Sequence, residues 1–70
     1  MNTTYNTGFY LETTENNDRM LQFVGHCIAK APFTPTLGLN VTFTTGIYAV
    51  IKIDEVNLVN NSIRVIVEKI

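Results

Sequence analysis

The clearest alternation of apolar and polar side chains runs from Gly46 to Val59. Its odd positions are apolar through the first half: Ile47, Ala49, Ile51 and Ile53. Side chains alternate between the two faces of a β-strand, so a period of two predicts a strand with one buried face. The odd positions are therefore expected to form the main core face, and the even positions Tyr48 and Val50 the opposite face.

A tight turn is predicted directly after this strand. Asn60-Asn61 lies between two apolar runs, and Asn tolerates the positive φ angles that a two-residue type I′ hairpin requires. The register of such a hairpin sets the charged Asp54 opposite the apolar Val67. This mismatch predicts a β-bulge at Asp54–Glu55, where one extra residue restores the apolar face.

A second hairpin is expected just before the long strand. Residues 39–43 alternate, and Thr45-Gly46 then turns the chain into the strand that starts at Gly46. The preceding segment, residues 32–38, contains two prolines and a glycine, which exclude a central strand there. It is expected to be an ordered connector.

Two more strands are expected towards the N-terminus. Residues 19–31 are apolar on both faces, which is typical of a central or curved strand, and Gly25 would allow a bend. Residues 9–12 alternate and are followed by a polar turn at residues 15–18. A first hairpin is therefore predicted from Gly8 to Ala31.

These five strands predict an all-β fold in a single domain, residues 1–70. Seven Val, seven Ile and ten Thr favour strands over helices. Strands in series joined by short turns indicate a five-stranded antiparallel meander that forms a small SH3-like or OB-like barrel, or a half-barrel completed by another copy. In this arrangement Ser62–Ile70 would be an apolar sheet edge open to pairing, with Phe9–Thr14 as a second candidate.

Composition and charge narrow the class of protein. Five Lys and Arg against six Asp and Glu give a formal net charge of -1, which fits a folded globular chain. No apolar run approaches the roughly 18 residues of a membrane span, so no membrane partner is expected. The N-terminal segment lacks a secretion signal, so a cytoplasmic location is expected.

No residues form a pattern typical of catalysis or metal binding. His26 and Cys27 are the only histidine and cysteine, and as neighbours on a strand they project to opposite faces. One cysteine and one histidine cannot make a structural zinc site. We therefore expect no enzymatic activity, no metal and no cofactor, with no catalytic residue assigned. Nucleic acid is an unlikely partner because the basic residues are scattered and balanced by acids.

Protein binding fits the sequence better. Tyr48, Val50 and Ile66 lie opposite the expected core face and would leave an apolar stripe containing a tyrosine, a residue enriched at interfaces. The alternative is that this stripe is the second packed face of a barrel. The interface candidates are Tyr10, Tyr48, Val50, Arg64, Ile66 and Glu68.

Residues 35–70 resemble small single-domain β proteins of phages and mobile elements. The resemblance is carried by Leu37-Gly38, residues 46–50, the break at residues 54–56, Asn60-Asn61 and residues 63–65. It implies a compact β fold and a protein partner in the host.

The resulting hypothesis is a non-enzymatic protein-interaction module, a phage or mobile-element inhibitor of a host protein, that binds through a surface or strand edge and self-associates. One alternative is a small barrel that binds single-stranded nucleic acid or a small ligand through exposed aromatics. A further alternative is a minor structural subunit of a larger particle.

Overall fold

The computed structural model describes residues 3–30 and 35–70, which form one five-stranded sheet. The strands are β1 (Tyr5–Glu15), β2 (Asp18–Ala29), β3 (Asn40–Phe43), β4 (Gly46–Asn57) and β5 (Ser62–Lys69). No helix occurs in the described part of the chain, so the all-β prediction is confirmed. The part of the 32–38 connector before Pro35 lies outside the described residues.

The strand order is β2-β1-β5-β4-β3, and the sheet is mixed. Strands β3, β4 and β5 form an antiparallel meander, and β1 pairs antiparallel with β2 but parallel with β5. The prediction of a wholly antiparallel meander is therefore wrong. Strands β1 and β5 are central, so the predicted edges at Ser62–Ile70 and Phe9–Thr14 are also wrong, and β2 and β3 are the edges.

Burial explains the central position of β5. Val65, Ile66 and Val67 are consecutive residues that are all 1% exposed or less. Consecutive residues of a strand point to opposite faces, so this strand must be covered on both faces, as central strands are. Within the sheet, β5 has β4 on one side and, through the parallel pairing, β1 on the other.

The predicted polar turn at residues 15–18 is confirmed, whereas the predicted two-residue turn at Asn60-Asn61 is wrong, although Asn61 does adopt a positive φ angle of 54°. Asn16 and Asn17 have φ angles of 53° and 68°, and they form the two-residue turn between β1 and β2. The β4–β5 connection is instead a four-residue loop, because Asn57 pairs with Ser62. The side-chain Oδ1 of Asn57 accepts hydrogen bonds from the backbone N–H groups of residues 59 and 60, which stabilises this longer loop.

Three bulges bend the sheet. The predicted bulge at Asp54 is confirmed, since the register shifts between Ile53 and Glu55. A second shift in β4 leaves Ile51 as an extra residue, and a third in β2 leaves Val24 as an extra residue. Each bulge adds local twist and changes which side chains share a face.

The hydrophobic core lies on one face of the sheet, here called the core face. It is built on the buried side chains Phe9, Tyr48, Val50, Val65 and Val67. The predicted core positions Ile47 and Ile51 are instead 46% and 43% exposed, so the expected choice of face is wrong for the first half of β4. Tyr48 can be buried because its hydroxyl forms a 2.8 Å hydrogen bond with Oγ1 of Thr45.

The sheet curls over the core face until side chains of its two edge strands meet. The Phe43 ring on β3 lies 5.3 Å from the Phe9 ring, centroid to centroid, and it also covers Gly25 on β2. A Cβ at Gly25 would lie 2.5 Å from the Phe43 ring, so only glycine leaves room for this contact. Among the described strands no backbone pairing joins β2 to β3, so the sheet is curled but open.

Candidate interaction site

The face opposite the core is covered by charged side chains and is here called the ion-pair face. Ile66 lies on it, between the core residues Val65 and Val67, and is fully buried. Its cross-strand partners are Tyr10 on β1 and Lys52 on β4. The same face carries a network of ion pairs among Glu12, Arg19, Lys52, Asp54, Glu55 and Arg64.

Arg19 connects distant strands in this network. It donates to Glu12 on the neighbouring strand β1 and to Asp54 on β4, two strands beyond β1. Adjacent strands lie about 4.8 Å apart, so this reach requires the β1–β2 ribbon to bend over the ion-pair face. Arg64 binds the same carboxylate from β5, with Nε donating to Oδ2 of Asp54 at 2.7 Å.

The ion pairs shift the pKa values of both acids in the same direction. Hydrogen bonds from Arg64 and then from Arg19 hold the pKa of Asp54 below its ordinary value of 3.8. A hydrogen bond from Arg19, assisted by Lys52, holds the pKa of Glu12 below its ordinary value of 4.5. Both acids therefore remain carboxylates at neutral pH and act as fixed negative charges between the strands.

An open groove of about 340 Å³ lies on the same face. Its lining combines aromatic, amide, hydroxyl and charged side chains: Asn6, Gly8, Tyr10, Phe23, His26, Glu55, Asn60, Ser62, Ile63 and Arg64. This volume is within the range of small-ligand sites. Strands β1 and β5 supply its floor, β2 one wall, and β4 with the β4–β5 loop the other.

The β2 wall is aromatic. Phe23 lies 5.4 Å from Tyr10 and 6.0 Å from His26, measured between ring centroids. The bulge at Val24 brings Phe23 and His26 onto the same face, although they are three residues apart in the chain. Phe23 nevertheless remains 56% exposed, so its ring is accessible from the groove.

The outer edge of β2 is the second prominent surface feature. Over residues 20–29 the strand has no Lys, Arg, Asp, Glu or Pro, the residues that usually prevent edge pairing. Met20, Phe23 and Ile28 on this stretch are 52%, 56% and 61% exposed. The opposite edge, β3, is only four residues long. The short β3 edge thus offers little backbone for pairing with another strand, whereas the long β2 edge lacks the residues that prevent such pairing.

The predicted interface residues fall into two groups. Tyr10 and Arg64 line the groove, and Glu68 is exposed on β5. Tyr48, Val50 and Ile66 are 4%, 1% and 0% exposed, so they form no surface stripe: Tyr48 and Val50 belong to the core face, and Ile66 is buried on the opposite face. The β2 edge was missed because residues 19–31 were expected to form a central or curved strand.

His26 and Cys27 do not form a catalytic pair. They pair with consecutive β1 residues, Gly8 and Thr7, and therefore lie on opposite faces. Cys27 is a free, exposed thiol. Over residues 3–30 and 35–70, no group of three or more His, Cys, Asp or Glu side chains could hold a metal ion, and no helix could cross a membrane.

Comparisons with known proteins return no match. No family model matches the chain, and neither the curated proteins nor the solved structures contain one similar enough to be significant.

Proposed function

We propose that this protein is a non-enzymatic protein-interaction module that acts by strand-edge binding and self-associates through β2. The observation that carries the proposal is the uncharged ten-residue stretch 20–29 on the outer edge of the sheet. Unpaired backbone N–H and C=O groups of an edge strand are a template for another strand. Pairing there would supply main-chain hydrogen bonds, with exposed apolar side chains adding contact area.

A second copy of the chain is the partner that this edge suits best. A two-fold axis places the same segment on both sides of the interface, so a charge near the axis would face its own copy. The stretch 20–29 contains no Lys, Arg, Asp or Glu and avoids that repulsion. In this arrangement the open, curled sheet is a half-barrel that a second copy completes.

The charge distribution supports a protein partner over nucleic acid. Arg19, Arg64 and Lys52 are all engaged by carboxylates on the ion-pair face. Phosphate contacts normally dominate nucleic-acid affinity, and cations already neutralised by acids contribute little to it. The formal net charge of -1 provides no overall attraction for phosphate groups.

The wider role that we propose comes from the sequence resemblance. A small β protein of a phage or mobile element would use its edge to bind and inhibit a protein of the host cell. An exposed unpaired thiol, Cys27, suits a reducing compartment such as the cytoplasm.

The decisive experiment is the native mass by light scattering over a dilution series, for the wild type and for Ile28→Lys. Lys on an edge strand opposes pairing, and Ile28 is 61% exposed, so the monomer should still fold. We expect the wild type to dimerise and Ile28→Lys to weaken dimerisation at least about tenfold, equivalent to about 1.4 kcal/mol.

The matched control is Val59→Lys, which makes the same charge change at a 97% exposed apolar position in the β4–β5 loop. This variant should dimerise like the wild type. A wild type that stays monomeric at every concentration would contradict self-association, and equal weakening by both variants would contradict the β2 edge as its site.

A further inference from the structure

Strand pairing at the β2 edge would leave the groove on the ion-pair face without a role. Such pairing uses the outer backbone groups of β2, whereas the groove opens on a face of the sheet. We propose that this groove is a second binding site and that its ligand is a neutral saccharide. The argument rests on the aromatic wall, the polar wall opposite it and the balance of charge between them.

The aromatic wall offers a flat apolar surface that is already held in place. Phe23 contacts Tyr10 on one side and His26 on the other, and its ring is still 56% exposed. A ring fixed by its neighbours loses little conformational freedom when a ligand covers it. The C–H face of a sugar ring is an apolar surface of similar extent, so it can pack on such a platform.

The opposite wall, together with the β5 side chains beside it, supplies donors and acceptors for hydroxyl groups. Nη2 of Arg64 donates to Oε2 of Glu55 at 3.1 Å, and Oγ of Ser62 donates to Oδ1 of Asn60 at 2.7 Å. Each of these bonds uses only part of the capacity of a guanidinium, a carboxylate or an amide. The wall can therefore both donate to and accept from a ligand, and hydroxyl groups do both.

The balance of charge favours a neutral ligand. Arg64 is bound by Asp54 at 2.7 Å and by Glu55 at 3.1 Å, so the guanidinium at this wall is already compensated by two carboxylates. A phosphate would meet those carboxylates, and like charges at close range are unfavourable. A nucleotide is thus disfavoured, although its base could stack on Phe23.

The floor of the groove depends on a glycine, which has no side chain. Gly8 lies under Tyr10, and a Cβ at this position would lie 3.2 Å from the Tyr10 hydroxyl oxygen. Glycine therefore lets the tyrosine fold down against the sheet, with its hydroxyl over the floor. A methyl group at this position would require the tyrosine ring to shift by a few tenths of an ångström.

The test is a titration of the nitrogen-15-labelled protein, followed by amide chemical shifts. The probes are maltose, cellobiose and diacetylchitobiose, each raised to about 10 mM, tenfold above a millimolar dissociation constant. We expect at least one disaccharide to shift the amide signals of Gly8, Phe23 and Glu55, three residues that represent the floor and the two walls. Adenosine monophosphate, titrated in parallel, should bind more weakly.

Two variants test the roles of the two walls. Phe23→Leu keeps the apolar volume but removes the flat ring, and Glu55→Gln removes one acceptor charge. Each should weaken saccharide binding about tenfold, equivalent to about 1.4 kcal/mol, while Phe23→Tyr should bind like the wild type. Glu55 is on β4, away from the β2 edge, so its effect is separate from any change in dimerisation.

Three results would overturn the proposal. One is the absence of groove shifts with all three disaccharides. Another is tighter binding of adenosine monophosphate than of any disaccharide, which would make the groove a nucleotide site. The third is a set of saccharide-induced shifts that Phe23→Leu and Glu55→Gln both leave unchanged, which would place binding elsewhere.

Discussion

The two faces of this sheet are stabilised by different physical means. On the core face, five buried side chains centred on Phe9 and Val65 pack against one another without a charge among them. On the ion-pair face, Ile66 is the one fully buried side chain among the described residues, and the face carries acids and bases from four strands. Apolar packing responds weakly to pH and salt, whereas ion pairs respond to both. We therefore expect the stability contributed by the ion-pair face to depend on pH and salt, and the stability contributed by the core face to depend on them only weakly.

The largest effect should come from Phe9→Ala on the core face. Phe9 is 1% exposed, and truncating a buried Phe costs about 3 to 5 kcal/mol. The core of a domain this small supplies only about 3 to 5 kcal/mol in total. We therefore expect this variant to be largely unfolded in the absence of denaturant, as measured by circular dichroism and amide signal dispersion.

The control for that loss is Phe23→Ala on the ion-pair face. It removes the same ring, but from a side chain that is 56% exposed, so the free energy of unfolding should change by less than about 1 kcal/mol. Urea denaturation of Phe23→Ala beside the wild type measures this change, and circular dichroism without denaturant compares the folded fraction of the two variants. Equal destabilisation by the two substitutions would contradict the assignment of the core to one face.

A smaller effect is expected where the sheet curls over its core. At Gly25→Ala the new methyl group would lie 2.5 Å from the Phe43 ring, and overpacking of this kind costs about 1 to 3 kcal/mol. Phe43→Leu alone should also destabilise the fold. In the double variant Gly25→Ala/Phe43→Leu the total loss should be smaller than the sum of the two single losses, because the smaller side chain makes room for the new methyl group. Strictly additive free energies of unfolding would show that the two residues do not touch.

The local features of the fold could be predicted from the sequence, and the pairing of distant strands could not. The bulge at Asp54 follows from a change of apolar parity, which is a property of adjacent residues. The parallel pairing of β1 with β5 joins residues more than fifty positions apart, and no local pattern determines it. The run Val65-Ile66-Val67 did carry a signal, since burial on both faces requires a central strand.

The candidate sites, too, depend on features of the fold that local sequence patterns do not determine. The aromatic wall needs the bulge at Val24 to bring Phe23 and His26 together, and the sequence shows only a glycine nearby. Burial of Tyr48 and Val50 depended on which face of β4 turns inward. Both faces are apolar in sequence, so alternation alone could not decide.

The smallest effect, and the one that best separates the two faces, is expected at the ion pairs. The pKa of Asp54 is lowered chiefly by the Arg64 hydrogen bond, so its carboxylate stabilises the fold above its ordinary value of 3.8. This contribution is lost as the pH falls below 3.8 through the lowered folded-state pKa. Asp54→Asn should therefore be less stable than the wild type at neutral pH, and the gap should narrow on acidification and in about 1 M salt.

Glu68→Gln is the matched control, because it makes the same change of charge at an exposed position on β5 that forms no ion pair among the described residues. Its free energy of unfolding should follow that of the wild type at every pH. Urea denaturation across the acid range measures all three proteins. A gap between Asp54→Asn and the wild type that persists unchanged in acid would mean that the Asp54 side chain stabilises the sheet by packing rather than by charge, and the contrast between the two faces would fail.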